Sequence, residues 1–457
     1  MSLEGAPGTI RADVCIVGAG AAGLTLAHAL RGSGLDVLVL ESGPVDDPDL
    51  WNAGETVGHE YNGLLRGRIR GLGGTTAVWP GQCIRLRPRE LAGWPFDLDP
   101  FYRKAEELLG IPAGETARDP WELFGEPGPG LDPDRVDTAL SVFCRRKRLA
   151  EVDVGDARVL MGAVATRVER RRVEVRDGGG RRAEVEADAV VLAAGTIETL
   201  RLMLASGVDR SGRAFEDHAF VDAARIVGPA RPLQDAYGMR IRRGLRYYAK
   251  PIVDGCMANV VFRYDPDSAL QTLLRVRRKR RVGATDVVRI LAGAPELATG
   301  AIRVVRGREP APTPADMRIL AVVEQPEPQG TLTLSDELDP VGVPRPRVDW
   351  RLGEPERRAI AGAVAVLDEE MRRTGAGSVE PEPWLSDSEL WREHAYDSFH
   401  PAGGARIGDV VDDQLQVHGM KDVYVCSAAA FPRAGCVNPT LTIVALAFRL
   451  ADHLRRA

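Results

Sequence analysis

The sequence lacks the features that mark several broad classes of protein. Its six cysteines are scattered and none forms a CxxC pair, which argues against a metal cluster or a disulfide framework and predicts reduced, buried thiols. No apolar run approaches the roughly 18 residues of a membrane span. The N-terminus also lacks the basic and then apolar layout of a signal peptide. We therefore expect a cytoplasmic protein with no membrane span and no metal site.

The sequence also has no excess of positive charge and no internal repeat. Its 457 residues carry a formal net charge of -5, which argues against nucleic acid as the main partner. Charged residues make up 27% and hydrophobic residues 44%, which is typical of a globular protein. The length leaves room for two or three domains around a large core.

The strongest positive signal is a strand–turn–helix–strand pattern over residues 13–43. Gly18 permits a tight turn after an apolar strand, Gly20 lets the backbone approach a pyrophosphate, and Gly23 lets the next helix pack closely on the strand. Glu41 ends the second strand, where a carboxylate can bind ribose hydroxyls. These features together predict a dinucleotide site; a glycine-rich turn in an ordinary α/β sheet is the alternative.

A second glycine-rich stretch covers residues 70–82. Three glycines precede Thr75 and Thr76, a composition that suits a loop whose backbone closes on a flat or anionic ligand. A flexible surface loop is the alternative. Trp79 and Cys83 favour the ligand-binding interpretation because both would be unusual in a solvated loop.

Other segments can be assigned by pattern. Residues 44–70 are a polar connection, Phe96–Gly110 predicts a helix, and the Pro- and Gly-rich residues 112–138 predict a lid or excursion. Val159–Val175 alternates like a strand, and Ala187–Thr199 predicts a buried strand that turns into a helix.

Residues 219–390 have a different texture, with recurring strand-like segments and one amphipathic helix over Glu354–Arg373. They predict an antiparallel sheet that carries a helix, inserted between two halves of the nucleotide domain. The basic run Arg275–Arg281 lies within this region. It indicates either a docking site for an anionic partner or a solvated helix face.

The C-terminal region contains four short motifs in a fixed order. They cover residues 400–408, 411–419, 423–432 and 438–443 and read HPAGGARIG, VDDQLQVHG, VYVCSAAAFP and NPTLTI. Together with the glycine loop and Gly212–His218, they resemble the glucose–methanol–choline (GMC) family of flavin oxidoreductases.

The resemblance implies an α/β fold in which a Rossmann-like FAD-binding domain carries an inserted α+β substrate domain built on an antiparallel sheet. It implies a discontinuous FAD-binding domain over residues 1–110, 150–218 and 398–457. The remaining segments are a lid or excursion over 111–149 and a substrate-binding domain over 219–397.

The resemblance also implies FAD as cofactor and a catalytic pair, His400 and Asn438, above the flavin N5. A histidine is a suitable base for the alcohol proton while hydride passes to N5. An asparagine amide can hold the developing alkoxide. The pair resembles the His/Asn variant of cholesterol- and pyranose-oxidase-like members, and the general style resembles bacterial sugar and gluconate dehydrogenases. The remaining histidines singled out here are expected to be structural: His28, His218, His394 and His418.

We expect FAD to be bound non-covalently, because members that tether it use a histidine in the glycine loop, where this chain has Val78. Ala429 stands where many members have a serine, so backbone groups rather than side chains are expected to face the flavin there. The positions expected to bind FAD are Gly18, Gly20, Ala21, Ala22, Gly23, Glu41, Ser42, Arg70, Gly73, Gly74, Thr75, Thr76, Trp79, Val164, Ala194, Gly195, Ser427, Ala428, Asn438, Pro439 and Thr440.

The favoured function is FAD-dependent oxidation of a primary or secondary alcohol, with a sugar, aminosugar or cyclitol hydroxyl as substrate and oxygen or another carrier as electron acceptor. An aminosugar of antibiotic biosynthesis is one specific candidate. One alternative is an FAD-dependent reductase or desaturase that does not use His400 and Asn438, and another is a non-catalytic protein that reuses the FAD fold. The substrate-pocket candidates are Glu324, Gln325 and Trp391.

Overall fold

The computed structural model describes Leu3 and residues 8–279 and 281–456. The basic run singled out above therefore lies within the described residues except for Arg280. The strands are β1 Thr9–Val17, β2 Val37–Glu41, β3 Glu55–Gly58, β4 Gln82–Cys83, β5 Asp137–Phe143, β6 Arg158–Met161, β7 Val164–Glu169, β8 Arg172–Arg176, β9 Arg182–Leu192, β10 Arg213–Glu216, β11 Ala219–Val227, β12 Arg240–Arg242, β13 Leu245–Val253, β14 Cys256–Arg263, β15 Asp316–Val323, β16 Gly330–Leu338, β17 Pro344–Trp350, β18 Ser378–Pro381, β19 Ala395–Asp397, β20 Ala402–Gly404 and β21 Val423–Val425.

The helices are α1 Ala21–Ala29, α2 Pro48–Asn52, α3 Gly63–Arg66, α4 Pro88–Leu91, α5 Asp99–Leu108, α6 Pro120–Phe124, α7 Gly195–Ala205, α8 Ala230–Tyr237, α9 Ala269–Lys279, α10 Ala284–Ala292, α11 Ala294–Val305, α12 Glu354–Thr374, α13 Leu390–Glu393 and α14 Thr440–Leu454. Short 3-10 helices cover Gly74–Ala77, Glu115–Ala117, Leu149–Glu151, Pro383–Ser386 and Ala428–Ala430.

The first sheet has the order β6-β2-β1-β9-β8-β7, with β21 pairing with β9. The pairs β1/β2, β1/β9, β2/β6 and β21/β9 are parallel, whereas β7, β8 and β9 form antiparallel pairs. In β1 and β2 the residues from Val14 to Val17 and from Val37 to Glu41 are all buried, as expected for strands covered on both faces. This sheet is the Rossmann-like core expected from the sequence.

The largest sheet is antiparallel and has the order β18-β11-β15-β14-β13-β5-β4, with β12 beside β13 and β19 beside β11. The long helix α12 packs against it through Ile360, Val364, Leu367 and Met371, which recur at helical spacing and are buried. The helix begins with proline in its first turn and ends at Gly375, whose φ of 70° is the left-handed cap that favours glycine. The predicted α/β fold class, which includes an antiparallel sheet, is therefore confirmed.

A third sheet has the order β20-β10-β16-β17-β3. It joins strands from widely separated segments: Glu216 of β10 pairs with Ala402 of β20, two residues after His400. The C-terminal motif is thereby held beside the Gly212–His218 segment, which the sequence places almost 200 residues earlier.

The structure differs from the sequence-based prediction in two connections. Residues 44–70 contain α2, β3 and α3 rather than an irregular link, and β3 completes the third sheet. Residues 111–149, expected to be a lid or excursion, contain β5, an interior strand of the antiparallel sheet between β13 and β4. The sequence did not predict this strand for two reasons. The preceding residues are rich in proline and glycine, and the alternation of apolar and polar residues within the strand is short.

Candidate active site

One large cleft follows the carboxyl ends of the parallel strands and encloses about 1410 Å³ of space, its open mouth included. Its walls come from the turn after β1, the end of β2, the loop before residue 75, the start of α7, and the segments around His400 and Ser427. Ligands of open α/β sheets bind at this edge, where successive strands end and helix N-termini point outward.

The glycines after β1 have three distinct environments. At Gly18, with φ of 105°, an added Cβ would lie 2.7 Å from the carbonyl oxygen of Ala193, so the turn has no space for a side chain. At Gly23 an added Cβ would lie 1.9 Å from the carbonyl oxygen of Gly18, which is the close helix–strand contact predicted from the sequence. At Gly20 no protein atom lies within 4 Å, so the backbone there faces open space at the N-terminus of α1.

Glu41 is buried at the end of β2 and lines the cleft. Its Oε2 accepts a hydrogen bond of 2.9 Å from the backbone N–H of Ala19, and its Oε1 accepts one of 2.8 Å from Gly43. Burial raises the pKa of the carboxyl, and the two backbone donors oppose that shift. The Ser42 hydroxyl also donates to Oε1, at 3.3 Å, so Oε2 is the oxygen whose remaining lone pair can accept a ribose hydroxyl.

The glycine loop closes over this turn. Gly73 and Gly74 have φ of 90° and 53°, and an added Cβ on Gly74 would lie 3.1 Å from the Cα of Gly20. The backbone N–H of Gly73 donates to the carbonyl of Ala19 at 2.8 Å. The loop is therefore fixed against the first turn rather than flexible, as the ligand-binding interpretation predicts.

A buried cluster of charges forms part of the wall of the cleft. Glu198 accepts hydrogen bonds from Arg68, from Arg70 at 3.0 Å and from Arg201 at 3.1 Å. Arg201 also pairs with Asp339 at 2.6 Å. Burial opposes the charge on Glu198, but the three guanidinium groups hold its pKa well below its usual range. Burial lowers the pKa of Arg68 to about 10.

The side chains of His400 and Asn438 face each other. The amide Nδ2 of Asn438 lies 3.1 Å from Nε2 of His400. His400 follows β19 and lines the cleft, whereas Asn438 precedes the first turn of α14, where Pro439 fixes the backbone. Two segments separated by 38 residues therefore converge on one point.

The other side of the His400 ring contacts a hydroxyl relay. The Oγ of Ser398 lies 3.0 Å from Nδ1 of His400 and donates to Oδ1 of Asp217 at 3.1 Å. The single proton of the Ser398 hydroxyl is used in the hydrogen bond to Asp217. The hydroxyl oxygen therefore accepts a hydrogen bond from Nδ1–H of His400. This network places the ring proton on Nδ1 and leaves Nε2 as the acceptor that faces Asn438 and the cleft.

Asp217 is the fully buried centre of this network. It also accepts from the hydroxyl of Tyr61 at 2.9 Å and from the backbone N–H groups of His218 and His400 at 2.7 and 3.0 Å. Burial and the neighbouring Asp397 raise the pKa of Asp217 to about 7, whereas these donors favour its charged form. The carboxyl group fixes both the backbone and the ring of His400.

His218 is a second histidine in contact with His400. The two Nδ1 atoms lie 3.2 Å apart and the rings meet edge to face with centroids 5.2 Å apart. Burial lowers the pKa of His400 to about 4, and burial together with His400 lowers the pKa of His218 well below its ordinary value. Both rings are therefore neutral at pH 7, and Nε2 of His400 is free to accept a proton.

The residues predicted to bind FAD fall into two groups. Gly23, Gly73, Thr76, Trp79 and Asn438 are not among the residues that line the cleft. The Thr76 hydroxyl donates to the Gly73 carbonyl, and the Trp79 indole donates to the Lys147 carbonyl. The predicted residues that line the cleft are Gly18, Gly20, Ala21, Ala22, Glu41, Ser42, Arg70, Gly74, Thr75, Val164, Ala194, Gly195, Ser427, Ala428, Pro439 and Thr440.

The three substrate-pocket candidates do not line the cleft. Glu324 is buried in an ion pair with Arg433, on the loop that leads to Asn438. Gln325 is buried, and its Oε1 accepts from the backbone N–H of Asp217 and from a tryptophan indole. Trp391 is fully buried. The first two residues support the loop and the carboxylate behind the catalytic pair, which a strand-end position alone does not reveal.

Several residues of the site were missed from the sequence. Phe399 lies between Ser398 and His400, has φ of 59°, is 49% exposed and is one of the residues that line the cleft. Non-glycine residues rarely adopt this backbone conformation, and they do so mainly at functional sites. Asp217 and His218 carried a signal, since both lie in the Gly212–His218 motif, but that motif does not reveal their contact with His400.

Two curated proteins match this chain over nearly its full length. One is the fructose dehydrogenase large subunit of Gluconobacter japonicus, with 24% identity over 98% of this chain and 98% of the relative. The other is paromamine 6'-oxidase of Streptomyces fradiae, with 26% identity over 96% of this chain and 90% of the relative.

Two family profiles match separate parts of the chain. One, described as an NAD(P)-binding Rossmann-like domain, matches residues 16–45. The other, described as GMC oxidoreductase, matches residues 326–447, which include both His400 and Asn438. The chain belongs to the GMC oxidoreductase family. It is an FAD-dependent oxidoreductase, as the resemblance of its motifs implied.

Solved structures support the fold of this GMC oxidoreductase. A pyridoxine 4-oxidase from Mesorbium loti superimposes with a TM-score of 0.57 and 17% identity, covering 97% of this chain and 99% of that one. A formate oxidase from Aspergillus oryzae gives a TM-score of 0.60 and 17% identity, covering 99% of each chain. At this identity the likeness concerns the fold.

The cleft of this GMC oxidoreductase fits FAD. The open space at Gly20, where a Cβ would have no protein neighbour, provides a place for a pyrophosphate, and Glu41 provides acceptors for ribose. Among the described residues, no helix is long and apolar enough to cross a bilayer, and no cluster of metal-ligating side chains occurs.

Proposed function

We propose that this enzyme oxidises a primary or secondary alcohol to a carbonyl compound, with His400 as the base and Asn438 as the partner of the substrate oxygen. The observation that carries the proposal is the 3.1 Å contact between Asn438 Nδ2 and Nε2 of His400. An alcohol oxygen that displaces this contact can give its proton to Nε2 and accept a hydrogen bond from the amide.

The residues divide the chemistry between them. His400 takes the hydroxyl proton at Nε2 as the C–H bond of the carbinol carbon breaks. Asn438 donates to the oxygen while negative charge develops there, and an amide does not compete for the proton. Ser398 and Asp217 stabilise the Nδ1–H tautomer and the positive charge that the ring gains. FAD, when bound in the cleft, supplies the acceptor for the hydride.

The residues we propose for FAD binding are those that line the cleft from Gly18 to Ala22, from Glu41 to Ser42 and from Gly74 to Thr75, with Ala194, Gly195 and the Ser427 and Pro439 segments. We propose that the cofactor is held without a covalent bond. The glycine loop has Val78, which is 69% exposed, where tethered members of the family have a histidine. Acid precipitation should release the yellow colour into the supernatant; colour that stays with the pellet contradicts this part.

For the substrate we propose a sugar or aminosugar hydroxyl, which includes a step of aminosugar antibiotic biosynthesis. The support is the pair of full-length relatives, whose names specify a fructose dehydrogenase subunit and a paromamine 6'-oxidase. The electron acceptor is tested in the same experiment as the substrate.

The test is anaerobic bleaching of the flavin by a panel of ketoses, aminosugars, cyclitols and simple alcohols, followed by admission of air. We expect a sugar or aminosugar to bleach the flavin, and rapid recovery in air would identify oxygen as the acceptor. His400→Gln should keep its flavin and bleach on the order of 100-fold or more slowly. His418→Gln, an exposed histidine of the neighbouring motif, is the matched control. Undiminished bleaching by His400→Gln would favour a reductase or desaturase instead.

A further inference from the structure

Helices α9, α10 and α11 form a helical excursion, residues 269–305, that is inserted between β14 and β15 and exposes many aliphatic side chains. None of the residues of α10 is buried. Leu291 is 69% exposed and Val305 is 88% exposed. Single exposed aliphatic residues are normal, but a concentrated set marks an interaction surface. The other exposed aliphatic residues of the excursion are Leu273, Leu274, Val282, Val287, Val288, Ile302 and Val304.

The helical excursion is also cationic, although the whole chain has a net charge of -5. Residues 269–306 include nine arginines and lysines, against Asp286 and Glu296 as the acidic residues. Arg275 pairs with Asp286 at 3.1 Å, so part of this charge is neutralised. Among the described residues of the range 269–306, the cations that form no ion pair are Arg277, Arg278, Lys279, Arg281 and Arg306.

The pattern in α10 separates the two kinds of side chain. Val287, Val288 and Leu291 are related by three and four residues and share one face of the helix. Arg289 lies on the opposite face and pairs with Asp267 at 2.9 Å. Such a helix, apolar on one side and charged on the other, is typical of a segment that lies in the interface of a bilayer.

The helical excursion lies at the far end of the antiparallel sheet from the catalytic pair. Arg263 and Asp316 are paired where the chain enters and leaves it. At the other end of the same two strands, Cys256 pairs with Val323, next to the Glu324 that binds the loop leading to Asn438. Contact with a large surface through the excursion therefore leaves the cleft accessible.

We propose that the helical excursion docks on the surface of an anionic lipid bilayer. Its aliphatic side chains would enter the boundary between headgroups and acyl chains, and its unpaired cations would contact acidic headgroups. Charge complementarity favours this occupant. A second copy that presented the same face would oppose cation to cation, and a nucleic acid would leave the aliphatic side chains without a partner.

The test is flotation of the holoenzyme with vesicles of phosphatidylcholine, with and without phosphatidylglycerol. We expect flotation with the anionic vesicles, weaker flotation at high salt, and little with the neutral vesicles. The triple variant Arg277→Gln/Arg278→Gln/Lys279→Gln should lower partitioning by about 100-fold, since each cation near such a surface contributes roughly a factor of five. Val288→Asp/Leu291→Asp should also abolish flotation.

Matched controls place the same changes elsewhere on the surface. Arg167→Gln/Arg225→Gln/Arg372→Gln removes three exposed arginines outside the helical excursion, and Leu338→Asp changes an exposed aliphatic residue of β16. Both should float as the unmodified enzyme does. Absence of flotation, equal flotation with neutral vesicles, or a dimer that Val288→Asp/Leu291→Asp converts to a monomer would overturn the proposal. The assay needs no turnover, so its outcome is independent of the proposed alcohol oxidation.

Discussion

Asn438 Nδ2 lies 3.1 Å from His400 Nε2, so the two side chains occupy each other's hydrogen-bonding positions until a substrate oxygen enters between them. In this contact Asn438 donates and His400 accepts, because Ser398 and Asp217 on the other side of the ring hold the proton on Nδ1. A substrate hydroxyl is the kind of group that satisfies both atoms at once, since it donates and accepts.

Asn438→Ala should lower kcat by about 100-fold with a small effect on KM, because it removes a donor to an oxygen that becomes charged only as reaction proceeds. Asn438→Asp should be equally slow, since a carboxylate repels the developing alkoxide. Steady-state kinetics of each variant would measure this. Asn259→Ala, an amide of β14 that bonds to the Leu320 carbonyl, should be unaffected. A kcat for Asn438→Ala within twofold of the unmodified enzyme would contradict the role given to the amide.

Ser398→Ala should lower kcat by about tenfold, the value of one hydrogen bond of roughly 1.4 kcal/mol that fixes the ring. The Nδ1–H tautomer then loses the Ser398 acceptor and has only Nδ1 of His218 within reach, so the acid limb of the rate profile should also move, which loss of packing alone would not cause. Ser398→Thr retains the hydroxyl and should recover most of the activity. Ser386→Ala, a serine that bonds only to the nearby Pro383 carbonyl, is the control. Equal activity of Ser398→Ala and Ser386→Ala would refute the relay.

The pH profile should reflect the depressed pKa of His400, about 4 because the ring is buried. The base is then unprotonated at every pH well above 4, so protonation of His400 itself should lower kcat/KM only below about pH 5, separately from the titration of Asp217 near pH 7. An ordinary histidine would lose activity near pH 6.5. As the pH falls from 6.5 towards 4, the unfolded chain binds protons at His400 and His218 that the folded protein does not. The two residues therefore lower the free energy of unfolding over this range. A midpoint of activity near 6.5 that persists in Asp217→Asn would be inconsistent with this environment.

Gly20→Val should prevent FAD binding without disrupting the fold. Gly20 has φ of -85°, which any residue adopts, and an added Cβ meets no protein atom within 4 Å. The side chain would instead occupy the space predicted for the pyrophosphate. The ratio of flavin to protein absorbance should fall to near zero while the far-ultraviolet circular dichroism is retained. Gly362→Ala, at an equally open position within α12, should keep its flavin and gain about 1 kcal/mol of stability. Normal flavin content in Gly20→Val would place the cofactor elsewhere.

The local sequence was sufficient to predict the parts of the fold that depend on short-range patterns. The turn at Gly18 and the helix that follows it come from a dozen consecutive residues, whose glycines are required by contacts at 2.7 and 1.9 Å. The helix over Glu354–Arg373 agrees with the observed Glu354–Thr374, because its apolar residues repeat at the helical period and Gly375 ends it. The three additional helices of the excursion and the strand Asp137–Phe143 were not predicted. In each of these segments the apolar pattern extends over only a few residues. Their positions also depend on partners far along the chain.

The order of residues along the chain establishes which chemical groups are available: glycines for a nucleotide turn, and a histidine and an asparagine in motifs that resemble one enzyme family. How these residues act depends on their contacts in the folded protein. Residues 217, 398, 400 and 438 meet because β10 and β20 pair across almost 200 residues and because Arg433 and Glu324 fix the loop before α14. The tautomer and the low pKa of His400 depend on burial and on hydrogen-bond direction. Both are properties of neighbours in space, which no spacing along the chain records.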